Sequence, residues 1–439
     1  MSVDKIKISS LWAIVLASAS LPSYALVYPD VGSMLQALQP TAAVTAPELN
    51  DLIIALNALP TEQQRFDALQ TLIPSADGSL RAASEGPMRQ MESVLYDRLI
   101  RIKTASGVSS GDEVDTEKNK DKPKAKAKDG DVPDKISELI ESTNGETVTT
   151  TDTAEIDKGV WAQLVGNNTG QDERYTVPGY DADVLGILVG RDHLFSPNFM
   201  VGLAGGFVHA DVESRGPSGS FLDIKRYQLT MYAGLTFERP FFLNGSFTVA
   251  YNDYDNNRNI LVPPVGGEPF VRIAWADFGA WETNAHVETG YRYECGHFHA
   301  IPKVMLTFSQ FNINGYFERD AFGLDLYAKY QDMTFVPLGA GIKLEYQNEF
   351  EKAYVTPEIH AYAFHDFSHD AQTATALFTG GGFDFLSQGA EPASNSFEVG
   401  AGIAVHSYVN TTVIIQYDYA ARSDYHRHAA FIKVRHEWA

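Results

Sequence analysis

The chain has 439 residues, of which 56 are acidic and 34 are Lys or Arg, so its formal net charge is -22 at pH 7. This balance excludes nucleic acid as a partner, because a phosphate backbone requires a basic surface. The hydrophobic fraction of 44% and the aromatic fraction of 12% indicate a folded chain rather than a disordered one.

The first 25 residues predict a secretory signal peptide. Lys5 and Lys7 precede an apolar run at 8–21, and small residues lead to a cleavage site after Ala25. This run is too short to span a membrane as a helix, and no later stretch approaches eighteen apolar residues. The sequence therefore disfavours a helical membrane protein. We therefore expect the mature chain to leave the cytoplasm.

Residues 26–105 predict a short helical segment. One helix should begin near Pro47, since proline suits the first helical turn. Thr61 and Gln64 form a capping-box pattern before a second helix, and a third segment at 88–102 has amphipathic spacing. We expect these faces to pack on each other; the alternative is a helix that binds a partner or lies on a membrane surface.

Residues 106–158 predict a charged, flexible linker with a potential short helix at 134–142. Apolar side chains are almost absent from 106–131, where lysines alternate with acidic and small residues. Such a composition cannot bury enough apolar surface to fold.

Residues 159–439 predict β-strands throughout. Between Tyr227 and Phe237 apolar and polar side chains alternate strictly, as in a strand with one apolar face. Twelve strands are predicted, many of them as long as the nine to eleven or so residues that cross an outer membrane. They are 159–166, 181–193, 198–211, 222–238, 241–257, 271–294, 298–311, 322–347, 353–366, 395–406, 409–421 and 424–438.

Short and long connections alternate between these strands. The longer ones lie near 167–180, 212–221, 258–270, 312–321 and 367–394. Short turns on one side and long loops on the other are typical of an all-β, 12-stranded antiparallel up-and-down transmembrane barrel, here preceded by a helical segment and a linker. A soluble β-sandwich is the alternative, but it would not need such long strands.

The alternation sorts side chains into two faces. A polar lumen of mixed sign is predicted from Glu282, His286, Glu288, Arg292, Lys303, Lys343, Glu345, Glu358, Glu398, Lys433 and Arg435. A lipid-facing or interfacial surface is predicted from Tyr227, Leu229, Met231, Leu235, Phe237, Phe247, Tyr251, Tyr291, Tyr293, Leu344, Tyr346 and Tyr417. Lumenal pairs such as Glu288 with Arg292, or Lys343 with Glu345, are interpreted as salt bridges in the wall.

The sequence carries no catalytic, cofactor-binding or metal-binding motif of a known pattern. It lacks G-x-S-x-G, H-E-x-x-H and a P-loop. His426, His428 and His436 share one strand face, but interfacial histidines are the preferred interpretation over a metal site. Cys295, the one cysteine, cannot form an intramolecular disulfide and is interpreted as a buried or lipid-facing side chain. We predict a protein that is not an enzyme and has no cofactor.

The C-terminal two-thirds of the chain resembles the translocator barrel of classical monomeric autotransporters, the type V secretion proteins. The resemblance rests on the order and spacing of short pieces: 159–163 at barrel entry, 202–207, 288–291, 301–303, Pro357 with His360, and 416–419 to 436–438. Residues 55–101 also resemble the helical segment that often precedes such barrels. The family's long repetitive passenger is not found in 26–130.

The resemblance implies that the segment before Gly159, with the potential helix at 134–142, occupies the barrel lumen. It also implies an outer-membrane location in a Gram-negative bacterium and specific partners. These are outer-membrane lipid, periplasmic chaperones and the barrel-assembly machinery, which reads the last strand at Ile432, Val434 and Trp438. Members of the family usually end in an aromatic residue, whereas Ala439 follows Trp438 here and His436 replaces an apolar residue.

Two functions follow as hypotheses. In the first, the barrel inserts in the outer membrane and translocates or displays its own short N-terminal segment at the cell surface. In the second, it is a non-exporting porin-like, structural or adhesive barrel whose N-terminal helices are periplasmic or plug the lumen. Loops 258–270 and 367–394 could bind a host or surface ligand in either case.

Overall fold

The computed structural model describes residues 47–74, 78–84 and 157–438, except 176, 218, 238–239, 265–266, 369–370 and 382–383. The predicted signal peptide, the predicted third helix at 88–102 and nearly all of the predicted linker lie outside these residues. Within the described residues no helix is long and apolar enough to cross a membrane.

Among the residues that the structure describes, two α-helices precede the strands, where the sequence predicts them. Helix α1 spans Pro47–Ala58 and α2 spans Glu62–Gln70. The predicted cap of α2 is present: the Gln64 backbone N–H donates to Thr61 Oγ1 over 3.2 Å, satisfying one of the donors at the helix start. A 3-10 helix at Ser79–Arg81 follows Gly78, whose φ of 87° is a left-handed conformation that glycine adopts without strain.

Nineteen strands follow in the described part of the chain. They are β1 Lys158–Gln171, β2 Tyr180–Ser196, β3 Phe199–Ser214, β4 Phe221–Thr236, β5 Phe241–Val262, β6 Phe270–Tyr291, β7 Tyr293–Cys295, β8 Phe298–Ile313, β9 Tyr316–Phe317, β10 Leu326–Ala328, β11 Gln331–Phe335, β12 Pro337–Tyr346, β13 Asn348–Phe350, β14 Ala353–Asp366, β15 Thr373–Phe378, β16 Phe385–Gln388, β17 Asn395–Ser407, β18 Thr411–Arg422 and β19 Tyr425–Trp438.

The long strands close into a 12-stranded antiparallel barrel, which confirms the predicted fold class. Neighbours in sequence pair with each other, β11 and β12 together form the eighth barrel strand, and β1 pairs with both β2 and β19. Lys158 lies opposite Trp438 at the end of the barrel that carries the short connections, which we call the turn end. The opposite, loop end carries the long connections.

The predicted strand 322–347 is wrong in its first part. Asp320 and Phe322 have φ angles of 77° and 58°, so the chain turns there instead of continuing extended, and Phe322–Leu324 forms a 3-10 helix. Strand β10 then leaves the barrel and joins a separate four-stranded sheet in the order β16-β15-β10-β9. We call this the cap sheet. Strands β9, β15 and β16 of this sheet lie in the segments 312–321 and 367–394, which the sequence analysis treats as loops, and β10 lies in the predicted strand 322–347.

Burial alternates along the barrel strands, as the period-two pattern requires. On β4 the even-numbered residues face the interior while Tyr227, Leu229 and Met231 are 51%, 62% and 54% exposed on the outside. The outward apolar positions continue to Phe237, a run of about ten residue steps. At about 3.3 Å per residue and a tilt of about 40°, this covers a height of about 25 Å, the apolar band expected of an outer-membrane barrel.

Candidate functional site

The charged side chains assigned to the lumen lie on the inner wall of the barrel. The positions are Glu282, His286, Glu288, Lys303, Lys343, Glu345, Glu358, Glu398, Lys433 and Arg435 on the strands, with Arg292 between β6 and β7. None of the ion-paired side chains among them is more than 13% exposed. The interior therefore holds buried ion pairs alongside clusters of apolar side chains.

The ion pairs of one wall differ in part from those that the sequence suggests. Lys343 does pair with Glu345, over 2.7 Å. Glu288, however, pairs with Lys303 over 2.9 Å, and Arg292 pairs with Glu345 over 3.1 Å. The predicted pair of Glu288 with Arg292 is wrong because Arg292 falls in the break between two strands, where its guanidinium turns toward the turn end.

A chain of hydrogen bonds runs along the inner wall near the turn end. Trp161 Nε1 donates to Tyr232 Oη over 2.7 Å, and that hydroxyl donates to Asp192 Oδ2 over 2.9 Å. Arg435 Nη2 donates to the other oxygen of Asp192 over 2.6 Å, and the Lys433 ammonium lies 4.6 Å from the centre of the Trp161 ring. These contacts tie β1, β2, β4 and β19 together where the barrel closes.

A fully buried ion pair joins β4 and β6 inside the lumen. Arg226 Nη1 donates to Glu282 Oε2, and both side chains are 0% exposed. Ser84 reaches this pair: its hydroxyl donates to Glu282 Oε2 over 2.9 Å and accepts from Arg226 Nη1 over 3.0 Å. A residue from the segment before the barrel is thus bound to the inner wall. The sequence analysis does not single out Arg226, although its even-numbered position, on the polar face of the alternating strand, indicates a lumenal side chain.

A second buried pair lies at the loop end and also holds the N-terminal segment. Arg258 Nε donates to Glu318 Oε1 over 2.9 Å, and the two side chains are 4% and 1% exposed. The same guanidinium donates to the carbonyl of Thr71 over 3.2 Å and to that of Leu324 over 2.9 Å. Arg258 therefore connects the end of α2 with β5 and with the cap sheet.

Helices α1 and α2 pack on the cap sheet and on the protruding ends of β5 and β6. The shared cluster consists of Leu49, Leu52, Leu56, Leu59, Ala68, Leu69, Leu72, Ile260, Val262, Ala274, Ala321, Leu324, Leu326, Ala376, Phe378 and Phe385, none more than 6% exposed. Within the cap, burial raises the pKa of the Asp325 carboxyl, which accepts from the Ala321 backbone N–H over 2.8 Å. The outer mouth of the barrel is covered by this assembly.

The side chains assigned to lipid or its interfaces all point outward. Most are strongly exposed: Tyr227, Leu229, Met231, Phe237, Phe247, Tyr293, Tyr346 and Tyr417. Leu235, Tyr251, Tyr291 and Leu344 share that face with intermediate exposure. Cys295, interpreted as buried or lipid-facing, is not buried: it is exposed at the end of β7, at the turn end of the barrel.

The outer limit of the lipid-facing band is visible on four strands. Phe207, Tyr227, Tyr251 and Trp281 are neighbours in register on the outside. Toward the loop end the outward positions become acidic, with Asp211, Asp223, Asp255 and Asp277 again neighbours in register. Carboxylates do not tolerate hydrocarbon, so the aromatic row marks the boundary and the cap lies beyond it.

The other sequence candidates lie on the outer face of the last strand. Ile432 and Val434 are 49% and 47% exposed, and Trp438 lies at the turn end, next to His436. Among the described residues, His209, Asp211 and Asp223 come close enough to hold a metal ion, but the Lys225 ammonium already lies 3.3 Å from Asp223 Oδ1.

Known proteins match this chain chiefly through the barrel. The family model of the autotransporter beta-domain matches residues 160–418. Outer membrane protein B of Rickettsia prowazekii (strain Madrid E) is 25% identical over 297 residues, covering 66% of this chain and 18% of that protein. Outer membrane protein B of Rickettsia typhi (strain ATCC VR-144 / Wilmington) is 25% identical over 285 residues, covering 64% and 17%. The chain thus spans less than a fifth of the length of these curated relatives.

A solved structure adds a likeness of fold. The translocator domain of the autotransporter NalP from Neisseria meningitidis has a TM-score of 0.50 and 13% identity, covering 69% of this chain and 95% of that domain. The matched domain is a transporter barrel and not an enzyme. Because the family match covers more than half of the chain, the chain belongs to the autotransporter beta-domain family, as an outer-membrane β-barrel of a Gram-negative bacterium.

Proposed function

We propose that this barrel moves its own N-terminal segment across the outer membrane and displays it at the cell surface. The observation that carries the proposal is the position of residues 47–84. The chain enters the barrel wall at Lys158, at the turn end, whereas α1 and α2 lie at the loop end. In an outer-membrane barrel the short turns face the periplasm and the long loops face outward.

The porin-like alternative is less well supported. A periplasmic N-terminal segment would have to lie at the turn end, yet Thr71 contacts Arg258 near the loop end of β5. The assembly machinery and chaperones remain proposed partners, with Ile432, Val434 and Trp438 as the proposed recognition signal.

The test is labelling of intact cells with a maleimide carried on a polyethylene glycol too large for porins. Ile54 lies on the exposed side of α1, with 59% exposure, and is changed to cysteine. The native Cys295 is exposed at the turn end and supplies an internal control. We expect Ile54→Cys to be modified on intact cells and Cys295 only after the outer membrane is permeabilised.

The orientation of the barrel is controlled separately. Leu386, 52% exposed on the cap sheet, is changed to cysteine in a second strain and should also be modified on intact cells. If Leu386→Cys reacts while Ile54→Cys stays protected until permeabilisation, the N-terminal segment has not been exported. The porin-like function would then replace the proposal.

A further inference from the structure

The outer mouth of the barrel has an apolar surface that matches the N-terminal segment. On the cap sheet, Leu326, Ala376 and Phe378 belong to the same buried cluster as the apolar residues of α1 and α2 and are at most 2% exposed. The helices contribute Leu52 and Leu56 to the same cluster, at 0% and 1%. A cap sheet without the helices would present this face to water, which is unfavourable for a contiguous apolar surface.

Polar groups on β5 of the barrel also form hydrogen bonds with the N-terminal segment. The buried Arg258 guanidinium donates to the Thr71 carbonyl, and the Leu261 backbone N–H donates to Thr71 Oγ1 over 3.2 Å. Buried donors are costly when they lack acceptors, so these contacts favour the docked arrangement over a detached one. Thr71 thus fixes the end of α2 against β5.

The segment continues from the mouth into the lumen. Leu80 and Ala83 are 6% and 1% exposed among lumenal side chains, and Tyr254 Oη donates to the Leu80 carbonyl over 2.8 Å. Ser84 then binds the buried pair of Arg226 with Glu282. The contacts form a continuous series from the cap sheet to the inner wall.

We propose that residues 47–84, once exported, remain seated on the barrel and close its outer mouth. The barrel is then a receptor for the segment it has moved, through the apolar face of the cap sheet, Arg258 and the lumenal pair. This inference rests on the proposed function, because it requires the segment to be outside. It goes further in stating that display ends in a docked cap and not in a freely extended or released chain.

The test reports whether the surface beneath α1 is covered. In a Cys295→Ser background, Ala376 on β15, which is 0% exposed, is changed to cysteine and its modification by the large maleimide is timed on intact cells. Leu386→Cys supplies the rate of an uncovered position on the same sheet. We expect the cysteine at 376 to react at least roughly tenfold more slowly than the one at 386, since a buried site reacts only when the structure opens locally.

Undocking is produced by Leu52→Asp with Leu56→Asp, and Ile54→Asp is the matched control on the exposed side of the same helix. In the double variant, the cysteine at 376 should be modified by the maleimide as fast as the one at 386, because carboxylates buried under α1 are strongly unfavourable and should detach the helix. In the control variant, modification at 376 should stay slow. Heat-modifiable migration of the unboiled protein on gels verifies that each barrel is folded.

Three results would overturn the inference. If the cysteine at 376 reacts quickly in the native background while Ile54→Cys is also surface-labelled, the segment is displayed but undocked, and the proposed function survives alone. If Ile54→Cys is protected on intact cells, export fails and the cap fails with it. If the cysteine at 376 stays slow in the folded Leu52→Asp/Leu56→Asp variant, something other than α1 covers it.

Discussion

Removing one member of the buried pair between Arg226 and Glu282 should destabilise the barrel far more than removing both. Each side chain is 0% exposed, so Glu282→Leu leaves an uncompensated guanidinium and Arg226→Leu leaves an uncompensated carboxylate. Breaking a buried ion pair in this way costs about 3–5 kcal/mol. The hydrogen bond from Asn252 to Glu282, over 3.3 Å, is lost as well in the first variant.

The double variant Arg226→Leu/Glu282→Leu should lose at most about 2 kcal/mol, because exchanging a buried pair for apolar side chains is often close to neutral. The pair is also incompletely satisfied: among the described residues, Arg226 Nη2 and Glu282 Oε1 find no hydrogen-bond partner. The two single losses would sum to about 6–10 kcal/mol, so the coupling energy should exceed about 4 kcal/mol.

The assay is equilibrium unfolding in urea of the barrel refolded into lipid vesicles, followed by tryptophan fluorescence and by migration of the unboiled protein. The matched control is Asp277→Asn, which breaks the outer ion pair with Arg319, where the side chains are 53% and 55% exposed. That change should cost no more than about 1 kcal/mol. Small single losses, or losses that simply add in the double variant, would refute the assignment of a buried, mutually dependent pair.

Two further variants test the faces of the wall, each scored by migration of the unboiled protein and by urea unfolding. Met231→Arg should lower the free energy of unfolding by about 2–4 kcal/mol, because Met231 lies near the middle of the lipid-facing band between Tyr227 and Phe237. Val271→Arg on the protruding end of β6 should change it very little, and equal losses would contradict the placed boundary. Gly202→Leu should lower the free energy of unfolding by at least about 1–3 kcal/mol through overpacking, since a Cβ at this position would lie 2.3 Å from the Tyr232 ring. Gly267→Leu should unfold like the wild type, because no atom lies within 4 Å of a Cβ at that position.

The wall of the barrel was predictable from the sequence because the alternation within each strand shows which side chains face lipid and which face the lumen. The alternation between Tyr227 and Phe237 is local, and it assigns each side chain to a face without reference to any other strand. The sequence did not determine which charged side chains form ion pairs across neighbouring strands. Glu288 has Lys303 as its partner rather than Arg292, and that depends on register and on the break between β6 and β7.

The cap was not predictable for a different physical reason. Strands β9 and β10 contain two and three residues, too few for alternation to be recognised, and the pairing of β10 with β15 joins distant parts of the chain. The turn at Phe322 depends on a positive φ that phenylalanine rarely adopts, so the residue at which the chain turns could not be located from its side chain. The helices were predictable, but the surface on which they pack was not.

The lumenal charges divide into two kinds, and the division fits the function proposed for the barrel. Lys303 with Glu288 is satisfied within the wall, where it joins β8 to β6. Arg226 and Arg258, by contrast, each donate both to a carboxylate and to the N-terminal segment, the carboxylate being Glu282 of the wall for Arg226 and Glu318 of the cap for Arg258. A wall built only for its own stability would not require donors directed at that segment. Their presence at two depths of the interior, in the lumen and at the mouth, indicates that the inner surface is matched to the segment it holds as well as to itself.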